Sequence, residues 1–416
     1  WGLALIAALV LKELPFLLWN VAAQLRRAGQ ADEITRQLQL AATLGYLPRS
    51  AWWRVLWPQL LPRLSLPLLA VWAYALTVVD MAIVLGPTRP PTLAMLAWRW
   101  LLDANVATNR AGAAAAVLLA LCVAAGAWTA VTTARALHPL LMRRWTRGDR
   151  PAAPARRPLP AAPLLCSAYA LVVLALVFVS LAGVWRFPDL LPAQWDTRNW
   201  RTALDSASTL GTTTLLALLS AATGVALAIG WMETTPPHWD TRAAPFVFAP
   251  MLVPGVLLAG GLYQLSLSLR LDGSWVGLWL AHSLAAAPYA LVSLAPAYRA
   301  LDPRYEQTAQ ALGRGRLATL CRVKWPMLLA PIAAAFAVGF AVSVAQFLST
   351  QFVGAGRYAT LTTEALTLAS GGQRGLGGAF ALLQALLPAT VFAIAWWLGH
   401  VQASRLGAPG AAAVGA

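Results

Sequence analysis

Gln39-Leu-Ala-Ala-Thr-Leu-Gly45, running on to Trp57-Pro58, returns 268 residues later as Gln307-Thr-Ala-Gln-Ala-Leu-Gly313, running on to Trp325-Pro326. At that one offset Arg36 falls on Arg304, Ala41 on Ala309, Arg54-Val55 on Arg322-Val323 and Leu60-Leu61 on Leu328-Leu329. The register persists through the next apolar stretch, where Gly86, Arg89 and Thr92-Leu93 match Gly354, Arg357 and Thr360-Leu361. Agreement over this length means two homologous halves in one chain. The most strictly repeated piece is a polar, basic loop, so function is sought there first.

Working outward, the balance of 59% hydrophobic against 11% charged residues, with 20 Trp in 416 residues, is that of a chain whose solvent is a bilayer. Apolar runs near the roughly 20 residues needed to cross the hydrocarbon occur at about 1–25, 62–85, 111–134, 164–184, 203–231, 244–268, 275–298, 327–350 and 379–399. They predict nine spanning helices and an all-α polytopic membrane protein. Gly and Pro within these runs, such as Gly224, Pro250, Pro254 and Gly255, are accepted in membrane bundles where backbones pack closely.

The formal net charge of +16 invites a nucleic-acid reading, which its distribution removes. Of 31 Lys and Arg, 21 fall in alternate inter-helix segments: 26–63, 135–163, 233–243, 298–326 and the tail after 399. Nine lie in the opposite set, and Lys12 lies within a span. This asymmetry places the first set in the cytoplasm and accounts for the basic charge by topology, with no nucleic-acid partner.

Catalysis finds no foothold. Cys122, Cys166 and Cys321 are far apart and have no Cys/His neighbours, which argues against a disulfide, a metal site or a thiol nucleophile. His138, His238, His282 and His400 are equally isolated; His282, within a span, reads as a satisfied bundle histidine. No HExxH, GxSxG or GxxxxGK[ST] pattern occurs, so no cofactor is expected and nucleotide binding by this chain is not.

Arg143 to Pro158, rich in Pro, Ala and Arg, breaks the apolar pattern between the halves. The organisation expected is a first half at 1–137 with its loop at 26–59, a basic cytoplasmic linker at 138–163, a second half at 164–400 with its loop at 298–326, and a cytoplasmic tail at 401–416. The seven basic residues of 135–163 read as an ordinary topology anchor, with binding to anionic lipid headgroups the alternative. The second half has four spans ahead of its loop and the first half one, so the complete first half is expected to hold three more N-terminal helices. Counting sides from loop 26–63 returns loop 298–326 to the cytoplasm, so the repeats are parallel rather than inverted.

Each loop has the same parts. A short helix, about 33–44 and 303–312, ends at Gly45 or Gly313, the residue that closes a helix in left-handed conformation without steric cost. A second short amphipathic piece follows, and Pro58 or Pro326 opens the next helix at its first turn. Ala41 and Ala309 leave room for close approach to the first helix. The product is a helical elbow facing the cytoplasm, a shape suited to docking another protein.

This spacing resembles the EAA loop of permease subunits of binding-protein-dependent ABC importers: E-A-A, three residues, G, nine residues, I, one residue, L-P. The matching positions are Gln39-Leu40-Ala41, Gly45, Val55, Trp57-Pro58 and Gln307-Thr308-Ala309, Gly313, Val323, Trp325-Pro326. Gln stands for Glu in both copies, with Glu306 one place early in the second, and Trp stands for Leu before each Pro. The resemblance covers roughly 10–135 and 200–400, and two halves on one chain resemble the fused permeases of the ferric-iron and thiamine type.

The resemblance implies two type I importer bundles, the first without its N-terminal helices here, in a bacterial cytoplasmic (inner) membrane. It implies two copies of a separate P-loop ATPase docked on the elbows, with Gln39, Ala41, Gly45, Pro58, Glu306, Gln307, Ala309, Gly313 and Pro326 as coupling residues. It also implies an extracytoplasmic solute-binding protein. ATP hydrolysis is then the partner's work, and this chain is not an enzyme. Within the bilayer, Asp80 and Gln346 are the pathway candidates, and the adjacent, oppositely charged Lys12 and Glu13, next to Pro15, either pair with other helices or mark a kinked turn. The substrate, whether ferric iron, thiamine, an oxyanion or a polyamine, is not encoded in any charge cluster. The alternative is an ion-coupled secondary transporter with duplicated halves, which would concentrate carboxylates or histidines at the midplane instead.

Overall fold

The computed structural model describes residues 2–25, 30–148, 161–183, 185 and 189–405. They form helices joined by turns and short loops; the one β-bridge among them is an antiparallel pair of Ala182 and Trp195. In order the helices are α1 (Leu3–Leu25), α2 (Gln30–Thr43), α3 (Pro48–Ala51), a π-helical turn (Trp52–Leu56), α4 (Trp57–Arg63), α5 (Ser65–Thr77), α6 (Asp80–Leu85), α7 (Leu93–Leu101), α8 (Val106–Trp145) and α9 (Ala161–Leu181). There follow α10 (Arg198–Asp205), α11 (Ala207–Thr234), α12 (His238–Leu252), α13 (Gly255–Ser268), α14 (Trp275–Arg299), α15 (Arg304–Ala311), α16 (Arg316–Thr319), a second π turn (Leu320–Lys324), α17 (Trp325–Met327), α18 (Leu329–Val344), α19 (Leu348–Val353), α20 (Leu361–Ser370) and α21 (Arg374–Arg405).

Among the described residues six helices are long and apolar enough to cross a membrane, and three sharply bent pairs bring the number to nine if each pair is one span. The bends have causes in the sequence. Pro254 separates α12 from α13 at a 100° turn, since proline offers no N–H and disfavours helix at the residue before it. The 61° and 80° bends ahead of α5 and α18 fall at Leu64 and Leu328. In each, the preceding helix ends four residues before a proline, Arg63 before Pro67 and Met327 before Pro331. A proline ring collides with the carbonyl four residues back. Pro67 stands four places later than Pro331 in repeat register, so the first bend comes one helical turn later.

The chain divides into two compact units, Trp1–Val172 with Leu252–Leu257, and Val173–Met251 with Leu258–Ala416. In the first, α1 packs on α5 and α6 around Leu5, Val78 and Ala82. The buried Ala94, Met95 and Ala97 of α7 lie against α8. In the second, α11, α14 and α18 pack on one another, and α21 covers α18 and α20. Gly224 permits this: a Cβ there would sit 3.3 Å from the backbone nitrogen of Ala287 on α14. Both linker boundaries depart from expectation. α8 continues to Trp145, so His138–Trp145 of the expected linker is helix, because nothing in that stretch but Pro139 opposes one. α9 opens at Ala161, so 161–163 are helix as well. Linker positions 149–160, and 406–416 of the expected tail, lie outside the described residues.

Candidate functional site

The two elbows are built alike, atom for atom at their corners. Gly45 and Gly313 have φ of 82° and 81°. In the first elbow the Gly45 N–H donates to Ala42 O at 2.9 Å and Tyr46 N–H to Ala41 O at 3.0 Å; in the second, Gly313 donates to Gln310 O at 2.9 Å and Arg314 to Ala309 O at 3.1 Å. These crossed bonds form a Schellman closure, which needs the left-handed residue that glycine supplies. α3 and α16, and the two π turns, then fall at the same 268-residue offset.

The π turns explain how Pro58 and Pro326 are housed. They stand in the first turn of α4 and α17, as expected, but these helices follow the π turns without a gap. Trp57 N–H donates to Trp52 O and Trp325 N–H to Leu320 O, five residues back. The wide turn shifts the hydrogen-bond ladder just where the next residue has no N–H to give.

Gln39, Gln307, Gly45 and Gly313 are exposed at the elbows, Pro58 is half-buried and Pro326 exposed. Ala41 and Ala309 are buried, at 4% and 6% exposure. The helices that carry them, α2 and α15, pack on the elbow's own second limb, α3 with the first π turn and α16 with the second. Ala309 also borders an open cleft of about 720 Å³ together with Tyr305, Leu312 and Arg322. The outward surfaces are carried by Leu40, Leu44 and Trp53 in the first elbow, and by Tyr305, Leu312 and Leu317 in the second.

Glu306 also turns inward. Its carboxylate lies 2.5 Å from the Lys324 ammonium, which is 2.6 Å from Glu233 at the end of α11. Tyr298 donates to the same Glu233 oxygen at 2.7 Å, and Arg316 donates to the Glu233 backbone carbonyl at 2.9 Å. Beside this set, Arg299 forms a forked pair with Asp240, at 2.8 and 2.9 Å, and donates to the carbonyls of Met232 and Thr235 near the end of α11. At the bend after the second elbow, Gln402 of α21 donates to the carbonyls of Pro326 and Met327 at 2.5 and 3.0 Å and accepts from Ala330 N–H at 3.0 Å. It thereby satisfies backbone groups that the break leaves without helical partners.

The sequence reading missed Glu233, Lys324, Tyr298, Arg316 and the Arg299–Asp240 fork. A signal was available. At the 268-residue offset Glu306 and Lys324 fall on Leu38 and Leu56, an apolar pair replaced by opposite charges. Leu38 and Leu56 both line one apolar cleft of about 680 Å³ in the first elbow, bounded also by Ile34, Ala51 and Trp52. Trp57 packs edge-on against Trp52 and Trp53 there, with ring centroids 6.4 and 5.1 Å apart.

In the membrane spans, Asp80 is the first residue of α6 and half-buried. Lys12 lies 3.9 Å from Glu13 and 3.5 Å above the Tyr74 ring in the first unit. Gln346, in the break between α18 and α19, accepts from Ser349 at 3.1 Å through its side chain and from Thr350 at 2.7 Å through its backbone. His282 is fully enclosed between Ser343, 2.9 Å from Nδ1, and Thr350, 3.0 Å from Nε2. Since the Thr350 hydroxyl proton is given to Gln346, Nε2–H donates to Thr350 and Nδ1 accepts from Ser343. That neutral tautomer ties α14 to α18 and α19. Among the described residues no group of three or more His, Cys, Asp or Glu is placed to hold a metal ion.

A family model described as the binding-protein-dependent transport system inner membrane component matches residues 224–403, a stretch that contains the second elbow. The inner membrane ABC transporter permease protein YnjC of Escherichia coli is 38% identical over 410 residues, covering 97% of this chain and 74% of that protein. A probable molybdenum ABC transporter permease protein of Haloferax volcanii is 31% identical over 143 residues, 32% of this chain and 52% of that protein. The sulfate transport system permease protein CysT of Escherichia coli is 28% identical over 117 residues, 26% of this chain and 42% of that protein. With a match of this strength running through nearly all of it, the chain belongs to the binding-protein-dependent ABC transporter permeases and is a multi-pass protein of the inner membrane.

Proposed function

We propose that this permease forms the translocation pathway of an ATP-driven importer and is moved by a separate P-loop ATPase, two copies of which dock on its two elbows, residues 30–63 and 304–327. The observation that carries this reading is the duplicated corner: two glycines at φ of 82° and 81°, each followed by a π turn and a proline at one constant offset. A connector without a partner has no need to keep backbone geometry in both copies while its side chains diverge. The exposed Gln39 and Gln307 and the apolar knobs Leu44 and Leu312 supply surface for the contact. An external solute-binding protein completes the machine and delivers substrate to a site bordered by Asp80 or Gln346.

The test is purification of the full-length protein from its native cells in mild detergent, with mass-spectrometric identification of what accompanies it. The expected result is a stoichiometric ATPase, lost when Gly45 and Gly313 are changed to Val, and ATP-dependent uptake in proteoliposomes. Sulfate and molybdate are the first probes, since two relatives are named for sulfate and molybdenum. A chain that purifies alone and transports in ATP-free vesicles under an ion gradient overturns the reading in favour of a secondary carrier.

A further inference from the structure

We infer that Lys324 is a positioning residue that fastens the second elbow to the membrane bundle through an ionic contact that Leu38 and Leu56, at the matching positions of the first elbow, do not repeat, so the two elbows transmit motion unequally. This rests on the reading of the elbows as the sites where an ATPase acts. Lys324 is 8% exposed, and its ammonium has carboxylates on two sides. One is Glu306 of α15, in the elbow's first limb, at 2.5 Å; the other is Glu233, in the last turn of α11, at 2.6 Å. The Tyr298 ring of α14 lies 4.5 Å from the same nitrogen. An ammonium has three donors and a compact charge, so a single side chain here joins both limbs of the elbow to two spanning helices.

Such a pair is directional. Displacing the elbow from α11 parts opposite charges in a site largely closed to water, and removing one partner leaves the other buried and uncompensated. The first elbow has Leu38 and Leu56 at the corresponding positions, and apolar contact is non-directional and tolerates sliding. Identical strokes from two identical ATPase subunits would therefore produce a rigid displacement of α11 and α14 through the second elbow and a compliant one through the first.

The experiment uses the full-length permease in nanodiscs with the ATPase that co-purifies with it. Cys122, Cys166 and Cys321 are replaced by serine, and spin labels are placed at Leu317→Cys on the elbow and Thr234→Cys at the end of α11. With Lys324 present, the label distance is expected to stay within about 2 Å between the nucleotide-free and the ATP–vanadate states, the scale of a packed-helix shift. In Lys324→Met it is expected to move by about 5 Å, one helical turn, or to broaden by as much. Lys324→Arg should restore the narrow distribution, which a general loss of packing would not. The double variant Glu306→Leu/Lys324→Leu copies the first elbow's pair, leaves no charge at either position, and should shift like Lys324→Met if that variant does not fold.

An unchanged distance in both Lys324→Met and the double leucine variant overturns the inference. Gly45→Val/Gly313→Val separates this from failure of the underlying reading. Retention of the ATPase by that variant sinks the coupling role of the elbows, whereas loss of the ATPase there with an unmoved Lys324→Met distance sinks the fastening alone.

Discussion

Gly313 is held at φ 81° with nothing within 4 Å of the place its Cβ would occupy. The cost of Gly313→Ala is therefore one of backbone conformation, about 1–2 kcal/mol, and a thermal shift of a few degrees in the purified protein should report it without loss of fold. His282 presents the opposite case, a side chain valued for what touches it. His282→Ala leaves a cavity and takes the partner from the Ser343 hydroxyl, so a loss of about 2–5 kcal/mol is expected in detergent denaturation. Retention of wild-type stability by His282→Ala would show that α14, α18 and α19 do not depend on that bridge. Both glycines were legible in the sequence, because a helix that stops at the same residue in two copies advertises its cap. The His282 bridge was not: its partners lie 61 and 68 residues away, and the offset carries them to Ala75 and Ala82, which repeat no hydroxyl. Glu306 was read toward a partner because the family pattern has a glutamate beside that position; its actual neighbour, Lys324, was the informative residue.

Among elements, the elbows show how far a repeat can be trusted. α3 and α16 and both π turns coincide at 268 residues, yet the bends that follow do not, and the displaced proline accounts for the difference. The sequence runs suggested smooth spans at 62–85 and 327–350; each is broken a second time, between α5 and α6 and between α18 and α19, at the same offset. No hydropathy window registers such a break, since it leaves the composition apolar. The interchange of Leu38–Leu56 with Glu306–Lys324 can be tested within the first elbow. Leu56 is 5% exposed, so Leu56→Lys alone should cost about 3 kcal/mol or more as a buried, unpaired charge. Adding Leu38→Glu should return about 0.5–3 kcal/mol of that loss, read as a double-mutant cycle in thermal denaturation. A cycle with no coupling would mean that positions 38 and 56 do not meet as 306 and 324 do.

For the molecule as a whole, charge asymmetry assigned the elbows to the cytoplasm before any helix was placed, and Cys321 is a native probe of that assignment. It is exposed on the second elbow, whereas Cys122 and Cys166 lie on apolar spanning helices. A membrane-impermeant maleimide should label Cys321 in inverted vesicles and leave it untouched in right-side-out ones, with Cys321→Ser as the control. The reverse pattern would invert the topology. The π turns carry a consequence of another kind. A π turn is an α-helix with one residue too many, so everything beyond it is rotated by about 100° relative to an uninterrupted helix. Each elbow thus has its outward face and the face it shows to the next span set to separate phases by a single supernumerary residue. Because the surplus residue stands at the same place in both copies, it was already present in the ancestral half when that half was doubled. The outward surface and the surface turned to the next span have since been free to diverge without falling out of step.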